Sequence, residues 1–197
     1  MSAVSEWIVR EYFEELGFLV RQPRKYMVSA RAKRADEEID LVVFSPSVSE
    51  LQLPEKTLWS TADLQHVQKA IVGVRGWHTE RFSPAVLEES PEVCRFAEED
   101  MEEHVSEALG EGPVAKILCL PGLPASPELR ERSLAILKAN GIHGVLLFRT
   151  MLLELMTRVE VNKSYDKSDL LQILRILKNY DLLRDAQLEL FGRRGRR

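Results

Sequence analysis

The chain has 197 residues, enough for one domain of ordinary size with a sizeable core. Hydrophobic residues at 45% and charged residues at 29% are the balance of a soluble globular protein, and no run approaches the length of a membrane span. A net charge of −4 does not by itself advertise a nucleic-acid binder.

The opening Met1-Ser-Ala-Val-Ser-Glu-Trp has no basic segment followed by an apolar one, so no secretory leader is expected. Ser2 or Ser5 caps a helix running to about Leu16, with Trp7, Ile8, Tyr12 and Phe13 on its apolar stripe and Gly17 as its stop. Phe18 to Arg21 reads as a short strand, and the stretch to Arg34 as a loop or irregular hairpin. Glu38 to Phe44 predicts a buried strand that ends at Ser45-Pro46. A loop or insertion follows over 45–60, then a short helix near 63–68 and a strand over Ala70 to Trp77.

Beyond Pro84 the period becomes helical, with Val93, Phe96, Met101, Val105 and Leu109 on one stripe. Val114 to Leu120 predicts a strand, Ser126-Pro127 opens a helix that reaches about Asn140, and Ile142 to Phe148 predicts another strand. A helix follows from about Thr150. Asp166 or Ser168 opens a last helical region through Leu183, broad enough in leucine and isoleucine to need cover from this domain or a partner. Alternating strands and helices predict an α/β fold with a mixed sheet. Cys94 and Cys119 sit in unlike contexts and are expected as buried thiols in a reducing cytoplasm, with one disulfide between them as the alternative. No phosphate-binding loop, dinucleotide-binding glycine pattern, nucleophile elbow or zinc spacing is present, so no nucleotide cofactor is expected.

Charge is unevenly distributed. Arg21, Arg24, Lys25, Arg31, Lys33 and Arg34 lie in a stretch with no acid, just ahead of Asp40. That band is a candidate nucleic-acid-binding surface, with a solvated face as the alternative. Glu88 to Glu111 is strongly acidic, and Arg193-Arg194-Gly195-Arg196-Arg197 is basic again.

Several of these features together resemble the restriction-endonuclease-like, or PD-(D/E)xK, nuclease superfamily, closest to its small prokaryotic Holliday-junction-resolvase-like and restriction-type branch. Glu6, Ile8, Tyr12, Phe13, Gly17 and Phe18 fall on the family's opening helix pattern. Glu38-Ile39-Asp40-Leu41 matches its acidic-apolar-Asp-apolar strand motif. The third motif, an acid and a lysine two residues apart, is represented by Gly73 and Arg75 inside Val72-Gly73-Val74-Arg75-Gly76-Trp77. The resemblance covers about 40% of the chain. It implies a three-layer restriction-endonuclease-like domain over 1–160, with a helical segment over 161–190 and a disordered basic tail over 191–197.

In active relatives the aspartate at the position of Asp40 holds Mg²⁺, which neutralises the scissile phosphate and activates water. Gly73 withdraws one carboxylate, and Arg75 cannot give up its proton near neutral pH to replace a lysine base. Glu6, Glu38, Asp40, Arg75 and Glu80 are therefore the candidate site residues, vestigial for catalysis, with Asp40 a weak metal ligand. The alternative is structural: Asp40 pairs with Arg75 across the sheet and fills the site. Three functions follow. The first is a catalytically degenerate DNA-binding protein that needs no cofactor. The second is a surviving Mg²⁺-dependent endonuclease that uses Glu6, Asp40 and Glu80. The third is a non-catalytic, dimeric interaction protein. A cytoplasmic location, possible pairing as a homodimer and no membrane partner are expected of all three.

Overall fold

The structure, a computed structural model, describes residues 3–23, 39–98 and 110–183. Arg24, Lys25, Arg31, Lys33, Arg34 and Glu38, the second half of the acidic run and the arginine tail all lie outside the described residues. The described chain is α/β, with one five-stranded mixed sheet whose strands lie side by side in chain order.

Helix α1 spans Ala3–Glu15 and buries Val9, Tyr12 and Phe13. It stops at Gly17, whose φ of 88° is open to a residue without Cβ, and the Phe18 amide reaches back to the Phe13 carbonyl at 3.0 Å. Strands β1 (Leu19–Arg21), β2 (Leu41–Phe44) and β3 (Lys69–Val74) form an antiparallel meander. From β3 the chain passes through α2 (Pro84–Glu89) and two 3₁₀ turns, Pro91–Val93 and Arg95–Ala97. Strand β4 (Ala115–Leu120) then lies parallel to β3. Helix α3 (Pro127–Ala139) carries the chain to β5 (Gly144–Leu147), which is parallel to β4. Helices α4 (Phe148–Arg158) and α5 (Asp169–Asn179) complete the described chain.

Where a helix was expected from Val93 onward, residues 91–97 form the two 3₁₀ turns. Phe96 and Val93 are fully buried by them. Val93 and Phe96 of the apolar stripe thus serve short turns seated on the sheet, while Met101, Val105 and Leu109 lie outside the described residues.

The sheet separates two cores. One, against α1, α4 and α5, contains Tyr12, Phe13, Leu41, Val72, Ile117, Met151 and Leu171. The other, against α2, the 3₁₀ turns and α3, contains Ile39, Val42, Ile71, Phe96, Leu118 and Leu137. The segment expected as a loop over 45–60 reaches the far side of the sheet. The Trp59 amide donates to the Val145 carbonyl at 2.9 Å, and the Val145 amide donates to the Thr57 carbonyl at 2.7 Å. An edge strand is thereby paired rather than left open. Gly144 makes this approach feasible, because a Cβ there would fall 2.2 Å from the Trp59 ring.

Candidate functional site: a closed acid–guanidinium pair between β2 and β3

Asp40 immediately precedes β2, whose neighbour is β3, so the two motif-bearing stretches are adjacent. Leu41 is in register with Val72, yet the Asp40 amide also donates to the Val72 carbonyl, at 3.1 Å. Two residues of one strand thus face one residue of the other, the pattern of a β-bulge. The core assignments agree. Ile39 and Val42 share one core, although three residues of strict alternation would set them on opposite faces.

The bulge aims the Asp40 carboxylate along the sheet. Its Oδ2 accepts a hydrogen bond from the Val74 amide at 2.7 Å and another from Arg75 Nη1 at 3.1 Å. Both partners are buried, with the Asp40 side chain 0% exposed and that of Arg75 5% exposed. Arg75 Nη1 also donates to the Val74 carbonyl at 3.2 Å, and Nη2 donates to the Glu92 carbonyl at 3.3 Å. The guanidinium carbon lies 5.6 Å from the centre of the Phe96 ring, within cation–π range. A carboxylate so engaged has its charge met by a permanent cation rather than by a metal.

Phe96 occupies the space beside position 73. A Cβ on Gly73 would fall 2.5 Å from Phe96 Cε1, inside any tolerable contact, so the glycine is what lets the ring lie on the sheet. The turn segment that carries Phe96 is tied at both ends by cations of the sheet. Arg75 reaches the Glu92 carbonyl, and Lys116, on β4 and in register with Ile71, donates from Nζ to the Ala97 carbonyl at 3.0 Å. Sequence reading missed both Phe96 and Lys116. A lone lysine in the otherwise apolar β4 run, Ala115-Lys116-Ile117-Leu118, was the signal available for the second.

Glu6 and Glu80 make contacts of their own. Glu6 on α1 accepts a hydrogen bond from Gln22 Nε2. Glu80 is exposed, in the turn after β3, and its amide donates to the Trp77 carbonyl at 2.9 Å. Among the described residues no three His, Cys, Asp or Glu side chains gather as a metal-holding group, so Glu6, Asp40 and Glu80 are not brought together as one. Of the basic band only Arg21 is described, exposed at the end of β1.

Beyond Arg75 the chain opens into a depression of about 580 Å³ at the end of β3, lined in part by Trp77, His78, Glu80 and Glu89. Trp77 stacks on the buried Phe82 with ring centres 5.5 Å apart. His78 Nε2 lies 3.1 Å from the hydroxyl of buried Ser5, and its ring meets Phe148 edge-on at 4.8 Å. Gly76 accommodates Ser5, since a Cβ there would fall 2.3 Å from the hydroxyl oxygen. These contacts fasten the turn to α1 and α4, which fixes the rim of the depression.

Burial pushes the Cys94 thiol up to about 11, against a smaller lowering by the Arg75 guanidinium. Burial also pushes the Cys119 thiol well above its ordinary range, with the nearby Asp40 charge acting in the same direction. Both cysteines are free thiols. No helix of the described residues is long and apolar enough to cross a membrane. No family model, curated protein or solved structure matches the chain.

Proposed function

We propose that the chain is a protein of the restriction-endonuclease-like kind that binds DNA without cutting it. One observation carries the loss of cleavage: Asp40, the motif's surviving acid, is buried in a pair with Arg75. Metal-dependent hydrolysis needs a carboxylate open to a hydrated cation and to a phosphate. Here the carboxylate is spent on an amide and a guanidinium, and a phenyl ring stands where the second acid of the motif would project. An antiparallel β1-β2-β3 meander followed by a parallel β4 supports the family reading of the fold.

DNA binding rests on the basic residues Arg21, Arg24, Lys25, Arg31, Lys33 and Arg34, which lead into Asp40 with no intervening acid before Ala35. The test is a paired measurement on duplex and branched DNA: anisotropy over a salt series, and cleavage with Mg²⁺ or Mn²⁺. Salt-dependent binding with intact DNA supports the proposal. Metal-dependent nicking would return the chain to the endonucleases.

A second reading is an interaction protein that pairs through α5, and it has its own observation. Ile173, Ile176 and Tyr180 are 51%, 44% and 69% exposed and recur at helical spacing on the outward side of α5. Absence of DNA binding at low salt, with a concentration-dependent dimer in sedimentation, would favour it.

A further inference from the structure

The depression at the end of β3 combines an aromatic ring with open carboxylates, a composition that DNA binding does not use. Phe82, fully buried, covers one face of the Trp77 indole, with ring centres 5.5 Å apart and planes 18° from parallel. Trp77 itself is half-buried, and it lines the depression. The chain's other two tryptophans engage their indole N–H inside the protein. Trp7 donates to Glu11 Oε1 at 3.0 Å, and Trp59 donates to the Lys56 carbonyl at 2.8 Å. Among the described residues no acceptor meets the N–H of Trp77. The ring is also held in place from both sides in sequence. His78 is fixed by Ser5 and Phe148, and Gly76 admits the Ser5 hydroxyl.

Glu80, in the turn after β3, and Glu89, at the end of α2, bring carboxylates to the same opening from two separate elements. Both residues are exposed, and neither carboxylate has a hydrogen bond or ion pair with the described residues. No lysine or arginine is among the described residues of the lining. Arg81, the nearest cation in sequence, lies instead against Gly122 beyond β4, with Nη1 2.8 Å from where a Cβ there would stand.

An aromatic surface flanked by unpaired carboxylates selects a flat cation. A guanidinium is planar and weakly hydrated, so it stacks on an indole, and its forked N–H groups meet a carboxylate two at a time. An ammonium is a compact, strongly hydrated charge that gains less from both. A phosphate or carboxylate would meet Glu80 and Glu89 with like charge. A nucleobase also stacks, but the strand that carries it brings phosphates into the same repulsion.

We propose that this depression is a binding site for a guanidinium cation, stacked on Trp77 and paired with Glu80 and Glu89. The group is either a small free guanidine or the arginine side chain of a peptide. The site needs neither the nuclease-like reading of the fold nor DNA.

The experiment titrates the full chain at low salt with ethylguanidinium, with N-acetylarginine amide and with the matched N-acetyllysine amide. Heat and the indole N–H signals of a nitrogen-15 correlation spectrum are followed together. Saturable binding of the guanidinium probes is expected, with the Trp77 signal shifted, the Trp59 signal unmoved and the lysine probe weaker by about fivefold. Glu80→Gln with Glu89→Gln should weaken binding by about tenfold, and Trp77→Leu by about threefold. The glutamine pair changes exposed, unbonded side chains, so it decides the matter even if Trp77→Leu disturbs packing on Phe82. Equal affinity for the two guanidinium probes supports the proposal with a free guanidine as ligand, and tighter binding of the arginine amide supports it with a peptide. No saturable binding, equal binding by the glutamine pair, or equal binding of the lysine probe overturns it. With no DNA in the titration, its failure is distinct from a failure of DNA binding by the domain.

Discussion

Replacing Arg75 with leucine would leave the Asp40 carboxylate buried with only the Val74 amide for company among the bonds described above. Removing one partner of a buried pair typically costs about 3–5 kcal/mol, because the other charge stays desolvated. Arg75→Leu should therefore lower the urea midpoint by that order, and Asp40→Asn should do so as well. The double change, Asp40→Asn with Arg75→Leu, should recover much of the loss, giving a large coupling in a double-mutant cycle. If the two losses simply add, the pair is not the closed contact described. The same logic makes Asp40→Asn alone a poor assay of catalysis, since it would disturb folding whether or not Asp40 ever held a metal. Cys94 offers an independent probe of the same corner. With its thiol raised to about 11 by burial, it is protonated at pH 8 and becomes nucleophilic only as pH climbs toward that value. Alkylation of the Cys94 peptide, followed by mass spectrometry, should run about a hundredfold slower at pH 8 than that of a free cysteine, and the gap should narrow toward pH 11. Reaction at the free-cysteine rate would mean the corner is open.

At the scale of elements, β3 and the turn that carries Phe96 depend on each other. Gly73→Ala puts a Cβ where the ring edge lies, so it should destabilise by about 1–3 kcal/mol through overpacking. The penalty should shrink in a Phe96→Leu background, where the edge is gone; an unchanged penalty would point instead to the strand backbone. Gly73→Glu meets the same obstruction, so an acid placed at that position cannot by itself create an open site beside Asp40. This corner also shows what was legible beforehand. A strand ending at Phe44, a neighbour beginning near Ala70, the helix stop at Gly17, and the alternation of later strands and helices all follow from local pattern, although the neighbour ends at Val74 rather than at Trp77. The Asp40–Arg75 contact was foreseeable as one of two alternatives, because the resemblance set both residues on neighbouring strands. The ring over Gly73 and the lysine tie from β4 were not, since they join residues distant in sequence through packing on one face. The bulge at Asp40 was hidden for a related reason: a period-two pattern over four residues is too short to register one inserted residue.

For the molecule as a whole, a net charge of −4 means that the proposed DNA binding would have to come from where the charge sits. The acidic stretch from Glu88 to Glu111 would repel a duplex, so a productive approach must present the band from Arg21 to Arg34 and turn the acidic stretch away. Binding of that kind is dominated by counterion release, with the logarithm of affinity falling by about 0.9 per phosphate contact for each tenfold rise in salt. If all six basic residues engage phosphates, the slope approaches about −5, and Lys33→Ala with Arg34→Ala should reduce its size by about 2. Sequence preference should be little changed by that pair, because phosphate contacts position the protein without reading bases. Arg75→Leu, measured where the variant remains folded, should leave the slope unaltered, since its guanidinium is already held by Asp40 beneath Phe96. A slope that falls with Arg75→Leu but not with the Lys33 and Arg34 pair would relocate the phosphate contact to Arg75, and the buried pair would then have to open on binding.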